Sequence, residues 1–229
     1  MGAQREPGFA GREVYAQIIE ILERAVMLES AVPAQQRKSV LVQGYVEMGV
    51  CHEHLGDTER ALHAYSEALN VDADNDAALT ARGRLRVARA EDALAMQDFE
   101  RAVARGTPLI WPYLHLAFHA LNTAEYERCL ELCRTGLERT EDERLRAALY
   151  EWMVVSVVML GSPPPLVEDL LERALDLAPF NARIPRYRER YDQHAAVDVA
   201  QIPWELTDEA ANDNARREIV QRVAMQRAA

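Results

Sequence analysis

The sequence predicts an all-α protein, an α-solenoid of antiparallel helix pairs stacked one upon the next. Three observations lead there. One residue pattern recurs every 34 positions without an insertion across three units, 42–75, 76–109 and 110–143; a fixed period in this range is the mark of stacked supersecondary units. Within each unit the apolar residues fall at helical spacing rather than alternating. Ala, Leu, Glu and Arg are abundant and aromatics make up only 7% of the 229 residues, a mixture that favours helix over strand.

The elements follow in chain order. Arg12 to Ser30 reads as one amphipathic helix with Tyr15, Ile18, Ile19, Leu22, Ala25 and Val26 on one stripe. Its Leu22–Val26 run has the pattern of a decayed second repeat helix, as expected of a cap, because terminal repeats present a polar outer face. Residues 1–41 therefore hold that cap and the start of a long helix that begins at Pro33 and runs to about Leu55. In the first unit Ala61, Tyr65 and Ala68 lie at i, i+4 and i+7 on one face of the second helix. The small residues let a neighbouring helix approach and the ring fills the gap between them.

The same places carry Ala95, Phe99 and Ala102 in the second unit and Cys129, Cys133 and Gly136 in the third. On the first helices Tyr45, Met48 and Gly49 correspond to Leu79, Arg82 and Gly83, and then to Tyr113, Leu116 and Ala117. The interhelical turn is Gly56-Asp57 in the first unit and Ala90-Glu91 in the second. A fourth unit, 144–181, ends on Leu170–Pro179 and is four residues longer. The extra residues are expected in the turn around Gly161-Ser162-Pro163-Pro164-Pro165, since proline interrupts a helix. Residues 182–229 read as a short capping helix (Pro185–His194), a linker (Ala195–Pro203) and an amphipathic tail helix. That helix is capped by Thr207 or Asp208, runs to about Met225, and carries Ala211, Ala215, Ile219 and Val223 on its stripe.

These residues resemble the tetratricopeptide repeat (TPR) family, whose 34-residue unit is a helix–turn–helix. The first unit matches best, with Tyr45, Gly49, Gly56-Asp57, Ala61, Tyr65 and Ala68; it departs at the closing place, where Ala73 stands for Pro. The resemblance implies a right-handed superhelix whose first helices line a concave groove. It places in that groove Gln43, Val46, Val50 and Glu53 of the first unit, and Ala77, Thr80, Arg84 and Val87 of the second. Trp111, Leu114, Phe118 and Leu121 follow in the third, and Leu145, Ala148, Trp152 and Val155 in the fourth. The family's grip on a terminal carboxylate needs Lys and Asn in this groove. Here Val46 and Val50 occupy those places, and Trp111 and His115 replace the basic pair of the third unit, so that ligand is not expected.

What remains is an apolar groove centred on Trp111, Leu114, Phe118, Leu121 and Trp152, suited to an amphipathic helix or an apolar peptide of a partner protein. The alternative for these residues is packing against the second helices or the insertion. The segment Ile202–Leu206 is a further candidate, either to cap the array or to lie in the groove of its own chain or a neighbour.

Charge and chemistry narrow the partner. A net charge of −11 disfavours nucleic acid. The basic cluster Arg183, Arg186, Arg188 and Arg190 reads as a solvated face or as intramolecular ion pairs. No apolar run is long enough for a membrane span or a signal peptide, which points to the cytoplasm and to no membrane partner. Three cysteines make no disulfide framework. Cys129 and Cys133 fall on packing places, and the neighbours in Cys51-His52-Glu53-His54 diverge around the helix. His115 and His119 share a helical face, but no glutamate follows the first and no further ligand is identifiable. No phosphate loop or nucleophile elbow occurs. The expectation is therefore no catalytic residue, no metal and no cofactor, in an adaptor or chaperone-like scaffold. The rival readings are a self-assembling homo-oligomer, joined through the tail or the repeat ends, and a metal-dependent enzyme.

Overall fold

The computed structural model describes residues 9–28, 34–202 and Trp204. Among them run ten α-helices: α1 (Phe9–Met27), α2 (Ala34–His54), α3 (Thr58–Val71), α4 (Asp76–Ala88), α5 (Asp92–Ala104), α6 (Ile110–Asn122), α7 (Tyr126–Leu137), α8 (Glu143–Met159), α9 (Pro164–Leu177) and α10 (Arg183–Asp192). A single 3-10 turn follows at Val199–Gln201, and the described residues contain no strand. The chain forms two compact units, Met1–Leu116 and Ala117–Ala229, divided within α6. In the first, each helix from α1 to α5 packs against the next; in the second, α7 packs on α8, α8 on α9, and α10 on both α8 and α9. This adjacent-pair construction is that of an α-solenoid. Pro33 and the tail helix expected after Thr207 lie outside the described residues.

Short turns enforce the antiparallel pairing, and one backbone device closes them. After α2 the N–H of Gly56 donates to the carbonyl of Glu53 at 2.9 Å and that of Asp57 to His52 at 2.9 Å. After α4, Ala90 donates to Val87 at 2.9 Å and Glu91 to Arg86 at 2.8 Å. This six-to-one closure satisfies the last carbonyls of the helix and needs a left-handed residue in the turn. Gly56 takes it at φ +76°, and Ala90 and Ala124 take it at +58° and +61°. The turn therefore survives the loss of its glycine in the second and third units, at the cost of backbone strain. The next helices are capped where the sequence permits: Asp57 accepts from the N–H of Arg60 at 3.1 Å and Asn75 from that of Ala78 at 2.9 Å.

The cores follow the small–aromatic–small face. Ala61, Tyr65 and Ala68 are fully buried, as are Ala95, Phe99 and Ala102. On α1, Ile19 faces inward and the Tyr15 ring stacks on His54 at 4.7 Å. Ile18 belongs with Val14 and Ile21 on the exposed side, which narrows the stripe read from sequence.

The fourth pair corrects the sequence reading of its insertion. α8 has 17 residues where α4 and α6 have 13, so the four extra residues lengthen a helix rather than a turn. Pro163 is the N-cap of α9, and Pro164 and Pro165 stand in its first turn, where a missing N–H costs nothing. The extended α8 is buried on every side from Glu151 to Val158. Residues 195–203, expected as a linker, contain the 3-10 turn and two buried side chains, Val197 and Ile202. The described part of this segment is a strap laid on the second unit.

Candidate binding surface on the first helices

In the first unit the expected groove residues come from α2, α4 and the start of α6. Val46 is half-buried against the core of Ala68, Leu69, Ala78, Leu79 and Ala102, while Val50 stays exposed. Val87 and Trp111 are half-buried. The Arg84 guanidinium carbon stands 5.5 Å from the centre of the Trp111 ring, a cation–π arrangement at the surface. Leu114 departs from the expectation: it is 0% exposed and belongs to the core. His115 is also buried, its ring stacked on Phe99 at 4.5 Å and 7°. Burial, and after it the positive charge of Arg84, lowers its pKa to about 4, so it is a neutral core ring at ordinary pH. His119, by contrast, is exposed.

Between α4 and α5 lies a polar network that sequence reasoning missed. The Asp98 carboxylate, 2% exposed, accepts from Arg82 at 3.0 and 2.7 Å and from Arg86 at 2.6 Å. Arg82 also donates to the Ser66 hydroxyl at 3.3 Å. The available signal was Arg82 itself, a cation at a place held by Met48 and Leu116 in the neighbouring units. Close by, the Tyr65 hydroxyl donates to Glu53. Burial first, and that bond second, push its pKa far above the usual range. Both networks fix α2 to α3 and α4 to α5 and leave the first helices as rigid supports.

In the second unit Leu121 and Trp152 are 1% and 2% exposed, and Phe118 is half-buried. Leu121 is a core residue. Trp152 is covered by another side chain: the Trp204 ring stacks on it at 5.5 Å and 14°, and meets Phe118 at 4.8 Å and 52°. Phe118 and Trp152 are themselves 5.4 Å apart. Leu114, His115, Leu121 and Trp152 are thus not open to a ligand. Repeat phase assigns a side chain to a helix face; it does not say what covers that face.

The remaining clusters resolve into structure. The sulfurs of Cys129 and Cys133 stand 3.9 Å apart and both residues are fully buried. Burial, followed by the bond with Cys129, pushes the Cys133 thiol up, so it stays protonated. Among the described residues no group of three or more His, Cys, Asp or Glu is placed to hold a metal ion. Nor is any described helix long and apolar enough to cross a membrane. From the basic cluster, Arg183 donates to the buried Glu151 at 2.7 and 3.0 Å, joined there by Asn181 at 2.8 Å and Tyr187 at 2.6 Å. Arg188 pairs with Glu168 and with Asp192. Arg186 and Arg190 are exposed.

No family model and no curated protein matches the chain. Among solved structures it is similar to YrrB, described as a TPR protein with an unusual peptide-binding site, with a TM-score of 0.51 and 16% identity over 81% of this chain and 94% of that one. It also aligns with a double mutant of MamA, RS-1 ArsTM, at a TM-score of 0.49 and 14% identity over 75% of this chain and 97% of that one. At 16% identity the likeness to YrrB is one of fold.

Proposed function

We propose that this chain, a TPR-like repeat protein in fold, is a protein-interaction scaffold of the adaptor or chaperone-like kind. It holds an apolar or helical segment of a partner protein on the first helices of its repeats. The observation that carries this reading is the Arg84–Trp111 pair, half-exposed and preorganised at 5.5 Å, beside exposed Val50 and half-buried Val46 and Val87. Trp and Arg are the residue types in which interface energy concentrates, and an aromatic already held in place loses little freedom on binding. No catalytic step, cofactor or metal enters this reading. The test is affinity capture of the partner followed by titration with Trp111→Ala and Arg84→Ala. A loss of tenfold or more in affinity with an unchanged melting temperature supports the reading, and unchanged affinity sinks it.

A specific observation favours a second reading, self-association. The outer side of α1 exposes Val14, Ile18, Ile21 and Met27, with Leu28 just beyond, the last three 63–81% exposed. An apolar helix face this open suits a second copy of the chain. Concentration-dependent mass in light scattering, abolished by Ile21→Glu, is its signature.

A further inference from the structure

Among the described residues of the strap, Val197, Ile202 and Trp204 meet the body of the second unit. Val197 is buried and its N–H donates to the Met159 sulfur at 3.3 Å. Ile202 is buried, with an extended backbone at φ −85° and ψ 109°. Trp204 lies against Phe118 and Trp152. Surface clefts flank the strap. A cleft of about 560 Å³ runs beside Ala195 and Ala196, and a recess of about 140 Å³ lies between α10 and Val197, Asp198 and Ile202. A segment flanked by clefts and seated on a surface by its side chains is held the way a peptide ligand is held.

The place it occupies is informative. Phe118 and Trp152 sit at matching places on the first helices of the third and fourth units, the face read above as partner-binding. We infer that the Phe118–Trp152 face, together with the recess on α10 that Ile202 lines, is a receptor for a segment carrying a branched aliphatic residue two places before a tryptophan. The chain's own Ile202-Pro203-Trp204 is its resident occupant, displaced by a partner segment of that chemistry. The inference rests on the scaffold reading and names the ligand class of one part of it. Proline between the two anchors restricts the free strap and so reduces the entropy lost on docking. A covalently tethered occupant acts at an effective concentration in the ~millimolar range, so a free segment competes at a disadvantage.

The test uses the full chain and a fluorescent synthetic peptide with the sequence of residues 197–207. The Trp204→Ala chain is expected to bind the peptide at least tenfold more tightly than the unaltered chain. Adding Phe118→Ala to Trp204→Ala, or replacing tryptophan by alanine in the peptide, is expected to abolish binding. Equal affinity for the Trp204→Ala and unaltered chains overturns the inference, as does indifference to Phe118→Ala. If Trp204→Ala does not fold, the intact chain labelled with 5-fluorotryptophan decides. Its Trp204 resonance, identified by its absence in Trp204→Phe, should move to a solvent-exposed position at millimolar unlabelled peptide, and an unmoved resonance overturns the inference. These readouts require no partner and leave Trp111 untouched. Failure here, with partner affinity still lost in Trp111→Ala, leaves the scaffold reading standing.

Discussion

Phe99 lies across Gly83 so closely that a Cβ built on the glycine would stand 2.6 Å from the ring's Cε1. Tyr65 covers Gly49 in the same way, one 34-residue step earlier. In the third unit Ala117 and Cys133 hold these two places, both fully buried. A methyl appears on one helix where a ring disappears from the other, so part of the lost volume is recovered. Gly83→Ala should therefore cost about 1–3 kcal/mol, as overpacking does. Combining it with Phe99→Leu should cost less than the sum of the two single changes, and urea unfolding of the cycle measures that difference.

The turn at Ala90 makes the opposite prediction. Ala90 sits at φ +58°, a conformation that Gly56 adopts without strain in the preceding unit. The left-handed penalty for a Cβ exceeds the extra chain entropy that a glycine loses on folding. Ala90→Gly should stabilise the protein by about 0.5–1 kcal/mol, seen as a higher urea midpoint at unchanged slope. A lower midpoint would refute the strain argument.

His115 gives stability a pH dependence of known sign. Its folded pKa of about 4 lies below the ordinary 6.5, so the folded state favours the neutral ring. Above 6.5 both states are neutral and stability is at its full value. As pH falls from 6.5 toward 4 the unfolded chain takes up a proton that the folded chain refuses, and stability declines by up to about 3 kcal/mol. Below 4 both states are charged and this loss levels off. Unfolding free energies at pH 7.5 and 4.5 should show the fall, and His115→Phe, which keeps a ring on Phe99, should flatten it.

Glu151 acts in a separate, more acidic window. Burial alone would raise its pKa, but hydrogen bonds from Arg183 and Tyr187, and the charge of Arg183, outweigh that and hold it below the ordinary value. Its contribution is present above the ordinary glutamate pKa and is lost as pH falls through the lowered one. Removing the carboxylate strands the groups around it. Glu151→Ala should cost about 2–4 kcal/mol, with Arg183 partly hydrated and so at the lower end for a buried pair. Protease cleavage within α10, which Glu151 fastens to α8, should accelerate in this variant, and Glu151→Gln should suffer less.

The fold class was legible because the constraint that produces it is periodic. Tyr65 and Phe99 sit 34 residues apart because each must fill the same gap between paired helices, and a repeated packing problem leaves a repeated residue pattern. Repeat phase placed the turn at Ala90-Glu91 even without a glycine, and the structure keeps it because two backbone hydrogen bonds hold alanine in the left-handed conformation. Pro163-Pro164-Pro165 misled because proline marks a boundary equally well from inside a helix's first turn as from outside it. The candidate surface was legible only by face. Trp111 and Val50 remain accessible, but Leu114, Leu121 and Trp152 do not, since repeat phase fixes a face and not its cover. Trp204 meets Phe118 from a segment without helical pattern, and nothing in its spacing to Phe118 announces the contact.

The stacked indoles have a consequence outside energetics. Two of the three tryptophans in the chain, Trp152 and Trp204, stand 5.5 Å apart and nearly parallel. Aromatic chromophores at that separation couple their excited states and give a paired positive and negative band in circular dichroism that neither ring produces alone. The protein thereby carries a built-in optical gauge of its strap, readable at micromolar concentration without a label.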